Sequence, residues 1–292
     1  MNRLGDMISL VTDSSCDLPS RIVERFQIVV VPLLVHIGGE SYADDELSRE
    51  RYWQERAEGE AGPQTSQPSV GAFEEVFERM VSRGKQVLCV MLTGKHTGTV
   101  EVARLAARRF GDAVCVFDSY SLSLGLGFQL LEAGRARNLG HSMEELLALL
   151  EDVRSRVHAL VVLDTLESVR RGGRAGAFIA ALGRMSRVLK VKPVVNFVEG
   201  RVQLLGVARS LRRGIERIVA NAEDLAPVDH LAVMHAGNPA GAEVLAARLA
   251  ERLRFPRDRI LVGETGSVLA SHAGAGAVGA FAVSKSQSGT AL

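Results

Sequence analysis

The sequence predicts an α/β protein of two domains: an N-terminal three-layer domain with a parallel sheet, and a C-terminal α+β domain with a mixed or antiparallel sheet. In the first half, strand-like apolar runs alternate with segments of helical periodicity, as in a parallel sheet covered on both faces. In the second half, two strand-like runs flank Glu199-Gly200, which is typical of a hairpin. The 292 residues suit two domains. We place these at 1–157 and 158–292, with a flexible tail over 284–292.

The first half opens with a predicted strand at 8–12 and a helix that begins near Pro19, a residue suited to a first helical turn. Residues 28–37 are apolar and β-branched, which predicts one buried strand. Ser69 is placed to cap a helix at 70–83, and Ser142 with Glu145 has the spacing of a capping box. The remaining predicted elements here are helices at 48–57, 100–110, 123–137 and from 142, and strands at 86–92 and 113–117.

The second half has fewer strand–helix alternations. The predicted elements are strands at 159–163, 194–198, 201–205, 230–235 and 259–262, and helices at 211–222 and 239–253. Gly274, Gly276 and Gly279 have the spacing of a dinucleotide-binding loop, but that motif needs a following helix and an acidic residue about 20 positions on. Only 13 residues follow Gly279 and none is acidic, so these glycines indicate tight packing or close approach of a ligand.

Composition excludes several classes of function. The chain has 35 basic and 34 acidic side chains, which gives no reason to expect nucleic acid or an anionic membrane as partner. Its longest apolar run, residues 28–37, is too short to span a bilayer, so we expect no stable membrane insertion. Cys16, Cys89 and Cys115 lack metal-site spacing, and Cys89 and Cys115 lie in apolar runs that predict buried thiols. Few residues precede the first strand, which leaves no room for a signal peptide, so we expect a cytoplasmic protein. We also expect no cofactor.

The loop at residues 93–99 is the first candidate site. It follows a predicted strand and precedes a predicted helix, the arrangement that places ligands at the carboxyl edge of a parallel sheet. The helix N-terminus offers N–H groups to an anion, Thr97 and Thr99 add hydroxyls, and Gly98 allows close backbone approach. An ordinary capped turn explains the same residues.

Two further groups of residues have both a functional and a structural interpretation. Asp13 and Asp118 each follow a strand, so they could be a catalytic pair or could accept hydrogen bonds from backbone groups in turns. Arg170, Arg171 and Arg174 surround paired glycines. They are either a solvated helix end or a contact for a phosphate or a partner protein.

Taken together, several motifs resemble the DegV family, over about residues 8 to 283. In chain order they are Thr12-Asp13-Ser14, Thr65-Ser66-Gln67-Pro68-Ser69, Thr93 to Thr99, Asp118-Ser119 with Gly125-Leu126-Gly127, Asp164-Thr165-Leu166-Glu167 with Gly172-Gly173-Arg174, Lys192-Pro193, Arg209 and His272. The family usually has serine where Thr97 stands, an aromatic residue where Val100 stands, and proline where Ala275 stands.

The resemblance implies a protein that buries a long-chain fatty acid between two domains, without catalytic activity of its own. It also implies a partner: family members present the carboxyl group to a fatty acid kinase and carry acyl phosphate toward phospholipid synthesis. By position in the motifs, Thr65, Thr97 and His272 would hold the carboxylate. Possible supporting or partner contacts are Ser66, Gly98, Arg170 and Arg174.

Two other functions stay open at this point. A lipid esterase or thioesterase could use Ser14 or Ser119 with His272 and an aspartate, although no serine lies in a G-x-S-x-G motif. A binding protein for another small carboxylate or phosphate is the second alternative.

Overall fold

The computed structural model describes residues 7–59, 62–163 and 191–286, which form two compact units. The first unit contains the described residues up to Ser155 together with Gly266–Val268. The second contains the described residues from Arg156 to Thr265 and from Leu269 onwards. The chain leaves the first unit at Ser155, two residues before the predicted boundary at 157, and the sequence did not indicate that Gly266–Val268 belongs to that unit.

The main sheet of the first unit is parallel, as predicted. Its strands are β1 (Ile8–Asp13), β2 (Val29–Val31), β6 (Gln86–Met91) and β7 (Val114–Asp118). They lie in the order β2-β1-β6-β7, and each neighbouring pair is parallel. The helices that begin in this unit are α1 (Ser20–Arg25), α2 (Arg49–Glu58), α3 (Val70–Val81), α4 (Thr99–Ala107), α5 (Leu124–Asn138) and α6 (Met143–Arg156).

Helices cover both faces of this parallel sheet. Phe73 and Phe77 of α3 and Ala103 of α4 are fully buried and pack with Val87 and Cys89 of β6 in one apolar cluster. Side chains alternate between faces along a strand, and α5 contacts β1 and β6 from the other side. The unit therefore has the predicted three layers.

The predicted helix caps are confirmed. Ser69 Oγ accepts a hydrogen bond from the Ala72 N–H at 3.2 Å. In the capping box of α6, the Ser142 N–H donates to Glu145 Oε2 at 2.7 Å, and the Glu145 N–H donates to Ser142 Oγ at 3.3 Å.

The single strand predicted at residues 28–37 is wrong. It is two strands in two sheets, β2 and β3 (Leu34–Ile37), separated by Pro32, which has no N–H to give to a sheet. β3 pairs antiparallel with β4 (Glu40–Ala43) and with β5 (Gln64–Ser66). The sequence prediction missed this three-stranded sheet because β4 and β5 are short and polar.

The second unit is built on a six-stranded mixed sheet, in agreement with the predicted fold class. Its strands are β8 (Val157–Val162), β9 (Lys192–Val198), β10 (Arg201–Ala208), β11 (Val228–His235), β12 (Leu261–Glu264) and β13 (Val278–Ser284). The order is β10-β9-β8-β13-β11-β12, and the β11–β12 pair is parallel. The predicted hairpin joins β9 to β10, with positive φ at Glu199 and Gly200. Helices α7 (Leu211–Glu223) and α8 (Pro239–Leu253) pack on this sheet, and α9 (Ser267–Ala273) precedes β13.

The sequence prediction missed β13, although it lies inside the sheet between β8 and β11. A Cβ atom added to Gly279 would lie 2.9 Å from Cγ2 of Val161 on β8, so this glycine serves the tight packing that we predicted. β13 continues to Ser284, and the Lys285 N–H donates to Pro227 O at 2.8 Å. The start of the tail was therefore predicted too early; residues 287–292 lie outside the described residues.

No helix in the described ranges is long and apolar enough to cross a membrane.

Candidate functional site

The loop between β6 and α4 is fixed by two carboxylates from the neighbouring strands. Asp13, at the end of β1, accepts a hydrogen bond from the Leu92 N–H to Oδ2 at 2.9 Å. Asp118, at the end of β7, accepts one from the Gly94 N–H to Oδ2 at 3.0 Å. The backbone that leads to Thr97 is thus held from both sides.

These contacts give Asp13 and Asp118 structural roles. Oδ1 of Asp13 also accepts the Ser15 N–H at 3.0 Å, and Oδ1 of Asp118 accepts the Tyr120 N–H at 3.0 Å. Asp13 is fully buried, and burial raises its pKa despite these hydrogen bonds. Both carboxylates therefore satisfy backbone groups in turns, the second interpretation that the sequence allowed.

Thr97 lies beside the N-terminus of α4. Its Oγ1 is 2.8 Å from Oγ1 of Thr99 and accepts the Thr99 N–H at 3.3 Å. The N-cap residue is Gly98, which provides no side chain to the first turn. The N-cap residue therefore makes no side-chain hydrogen bond to the first turn of α4. Threonine hydroxyls beside such a helix N-terminus are suitable hydrogen-bond donors for a carboxylate.

Thr65 and Ser66 lie next to each other on β5 but on opposite faces of the small sheet. Thr65 is opposite Val35, which is fully buried, and Ser66 is opposite Leu34. Ser66 Oγ lies 2.8 Å from Nε2 of His36. Because adjacent strand residues point in opposite directions, the predicted supporting role of Ser66 does not follow from that of Thr65.

The two threonine motifs are neighbours in the first unit. A Cβ atom added to Gly98 would overlap Oε1 of Gln67, so the Gln67 side chain lies against the Gly98 backbone. Gln67 was not among the predicted site residues, although it is part of the Thr65–Ser69 motif. Its position inside that motif is the sequence feature that could have identified it as a site residue.

His272 lies in the last turn of α9, in the second unit, and is half-buried. The backbone after it turns through Gly274 and Gly276, whose φ values are 84° and 86°. Arg170, Arg171 and Arg174 lie outside the described residues, so their predicted roles stay predictions.

The serines of the esterase alternative have structural contacts. Ser14 Oγ donates to Asp44 Oδ2 at 2.9 Å and accepts the Leu33 N–H at 3.1 Å. Ser119 Oγ donates to Ser121 O at 3.2 Å and accepts the Ser121 N–H at 3.1 Å. These bonds place both hydroxyls in loop structure and weaken the case for either as a nucleophile.

The cysteines have the character of packing residues. Cys16 and Cys89 are buried, and burial raises the pKa of Cys16 to about 12 and that of Cys89 well above its usual value. Cys115 is only half-buried, contrary to its predicted burial. Across residues 7–59, 62–163 and 191–286, no three His, Cys, Asp or Glu side chains are grouped to hold a metal ion.

Comparison with known proteins gives one family. Residues 7–285 match the model of the DegV family, which is described as uncharacterised. A DegV domain-containing protein of Streptomyces coelicolor is 32% identical and covers 95% of this chain and 99% of its own. A DegV domain-containing protein of Streptococcus pneumoniae is 30% identical, covering 91% of this chain and 95% of its own.

Solved structures agree with the family match. A Thermus thermophilus DegV family protein described by its fatty acid binding is 36% identical, with a TM-score of 0.87 over 96% of this chain and 100% of its own. DegV from Bacillus subtilis, described as a fatty acid binding protein, is 28% identical, with a TM-score of 0.83 over 95% of this chain and 99% of its own. A stearic acid-binding protein from Eubacterium ventriosum is 26% identical, with a TM-score of 0.84 over 96% of this chain and 99% of its own.

Proposed function

Because the chain belongs to the DegV family, we propose that it binds a long-chain fatty acid and holds the carboxylate with Thr65, Thr97 and His272. The observation that carries the proposal is Thr97 beside the N-terminus of α4, where the N-cap residue is a glycine. Similar proteins described as fatty-acid-binding support it.

The carboxylate and the acyl chain of the ligand contribute to binding in different ways. A carboxylate taken out of water needs hydrogen bonds to its charged form, and threonine hydroxyls next to a helix N-terminus supply them. Burial of about 15 methylenes at about 0.8 kcal/mol each contributes on the order of 12 kcal/mol before ordering costs. The acyl chain therefore supplies affinity, and the threonines determine which end of the ligand lies in the loop.

The proposed role is that of a carrier. The chain presents the carboxylate to a fatty acid kinase, and the acyl phosphate continues toward phospholipid synthesis. This step is proposed from the resemblance to the family and needs no catalytic group or cofactor on this chain. The contacts of Ser14 and Ser119 with loop groups support a carrier rather than an esterase.

Native mass spectrometry of the purified chain tests the binding proposal. We expect a fatty acid to accompany the wild-type protein, because a ligand with this much buried apolar surface dissociates slowly. A small polar anion in its place would favour the alternative of a binding protein for another carboxylate or phosphate. Purified protein without any bound carboxylic acid, and without affinity for added oleate, would refute fatty acid binding.

Matched variants of Thr97 test the residue assignment. Thr97→Val keeps the volume and removes the hydroxyl, so it should weaken fatty acid binding by about 1–3 kcal/mol. Thr97→Ser keeps the hydroxyl and should bind like the wild type. Equal affinity of the valine and serine variants would exclude a hydrogen bond from Thr97 to the carboxylate.

The carrier step has its own test, which uses a purified bacterial fatty acid kinase and ATP. We expect acyl phosphate to form only when the loaded chain is present. Equal acyl phosphate formation from free fatty acid without the chain would refute presentation to a kinase and would leave the binding proposal intact.

A further inference from the structure

A three-residue segment near the C-terminus is held in the first unit by two aspartates. The Gly266 N–H donates to Oδ1 of Asp17 at 2.8 Å, and the Val268 N–H donates to Oδ1 of Asp44 at 3.2 Å. Thr265 and Leu269, on either side of the segment, belong to the second unit. The two carboxylates therefore fix a short stretch of backbone whose chain neighbours lie in another unit.

Arg49 completes the arrangement. Its Nη1 donates to Ser267 Oγ at 3.0 Å and lies 3.9 Å from Oδ1 of Asp44. Asp44 is only 3% exposed, and burial raises the pKa of its carboxyl group. We call Asp17, Asp44 and Arg49 the clasp.

The two aspartates of the clasp leave little space for a side chain at position 266. A Cβ atom added to Gly266 would lie 3.1 Å from Oδ2 of Asp44 and 3.3 Å from Oδ1 of Asp17. Asp17 is fixed in turn, because Ser123 Oγ donates to its Oδ2 at 2.5 Å. The segment is therefore positioned by contacts on several sides, and a small displacement would disturb more than one of them.

The segment leads directly into the helix that carries His272. α9 begins at Ser267, and His272 is five residues further along, or about 7.5 Å at about 1.5 Å per residue. A shift at the start of so short a helix is transmitted along its hydrogen-bonded backbone. Displacement of residues 266–268 would therefore move the His272 side chain.

We propose that Asp17, Asp44 and Arg49 are positioning residues for ligand binding, which fix the start of α9 and thereby hold His272 against the fatty acid carboxylate. This inference rests on the proposed function. It assigns a ligand-related role to three side chains that do not themselves contact the ligand.

The test measures the dissociation rate of a bound fluorescent fatty acid in excess unlabelled oleate. Asp44→Asn removes the charge beside Arg49 and leaves a single side-chain oxygen in place of two. We expect dissociation about tenfold faster than in the wild type, the change that corresponds to loss of one charge-assisted hydrogen bond. Glu145→Gln is the matched control. It also removes a carboxylate that accepts a backbone N–H, but in the capping box of α6, and it should leave the rate unchanged.

A double-mutant cycle separates positioning from general loosening. If Asp44 acts through His272, Asp44→Asn should accelerate dissociation in the wild type but not in a His272→Ala background. Equal acceleration in both backgrounds would overturn the proposal, and so would a wild-type rate in folded Asp44→Asn protein.

If Asp44→Asn does not fold, Ser267→Ala, which removes one partner of Arg49, is taken through the same cycle under the same criteria. Failure of the proposed function is detected separately, with the wild-type protein. If the wild type binds no fatty acid, both the proposed function and this inference are refuted before any variant is made.

Discussion

Gly94 donates its N–H to Oδ2 of Asp118 at 3.0 Å, and a Cβ atom added to Gly94 would lie 2.8 Å from that same oxygen. The hydrogen bond therefore requires the absence of a side chain at position 94. Asp13 makes the equivalent contact with the Leu92 N–H at 2.9 Å. The loop that carries Thr97 is thus positioned by two carboxylates, one of which accepts only glycine as its partner.

Gly94→Ala is expected to destabilise the protein and to weaken ligand binding. The new methyl group forces Asp118 away from the Gly94 N–H, and loss of a hydrogen bond to a charged group costs about 1.5–3 kcal/mol. Urea unfolding measures the first effect, and titration with a fluorescent fatty acid measures the second.

Gly71→Ala is the matched control for that substitution. Gly71 lies in the first turn of α3, is exposed, and would have its new methyl group 3.9 Å from the nearest atom, Ser69 Oγ. Alanine is favoured in helices by up to about 1 kcal/mol over glycine, so stability should be unchanged or higher. If Gly94→Ala behaves like Gly71→Ala, Asp118 does not restrict the loop.

Gly98 and Gln67 should be energetically coupled. An alanine at position 98 would displace the Gln67 side chain, although φ of −81° is open to any residue. We expect Gly98→Ala to destabilise the protein by about 0.5–1 kcal/mol in the wild type and to have no cost in a Gln67→Ala background. Denaturant unfolding of the four proteins gives the coupling energy. A value of zero would show that the two motifs do not contact each other in solution.

The features that the sequence predicted correctly are those set by local chemistry. Ser69 caps α3, and Ser142 with Glu145 caps α6, because capping depends on residues three positions apart. The hairpin at Glu199-Gly200 and the parallel sheet of the first unit also follow from short-range patterns.

The features that the sequence did not predict depend on contacts between distant residues. Asp17 and Asp44 bind backbone groups more than 200 residues away, and neither has a spacing that reveals this. β13 contains a glycine, Gly279, whose small size is explained only by its packing against Val161 of the neighbouring strand. Thr65 was named through the family motif, whereas Thr97 was also indicated by its place between a predicted strand and a predicted helix, where an ordinary capped turn explained it equally well.

His158 should make the protein less stable in mild acid. Asn196 Nδ2 lies 3.2 Å from Nδ1 of the partly buried His158 ring. Burial lowers the pKa of His158. The ordinary pKa of histidine is about 6.5, so below that pH the unfolded chain binds more protons than the folded protein. The stability that the neutral ring contributes is therefore lost as the pH falls toward the pKa of His158 in the folded protein.

His158→Gln should reduce this pH dependence. We expect the free energy of unfolding to change less between pH 7.5 and pH 5 than in the wild type. The dependence is reduced rather than abolished, because burial also lowers the pKa of His235. Urea unfolding at several pH values provides the measurement, and identical slopes in the two proteins would contradict the assignment.

The last prediction separates the two faces of β5. Thr65 is opposite the buried Val35, whereas Ser66 Oγ is 2.8 Å from His36 Nε2, and Nδ1 of that ring is 2.7 Å from Ser41 Oγ. Thr65→Val should weaken fatty acid binding by about 1–3 kcal/mol. Ser66→Ala should lower stability by about 1 kcal/mol and leave affinity unchanged, because its hydroxyl supports the sheet. Fluorescence titration and urea unfolding of both variants decide the point. If Ser66→Ala is the variant that loses affinity, the carboxylate lies on the His36 face of the sheet and Thr65 is not its ligand.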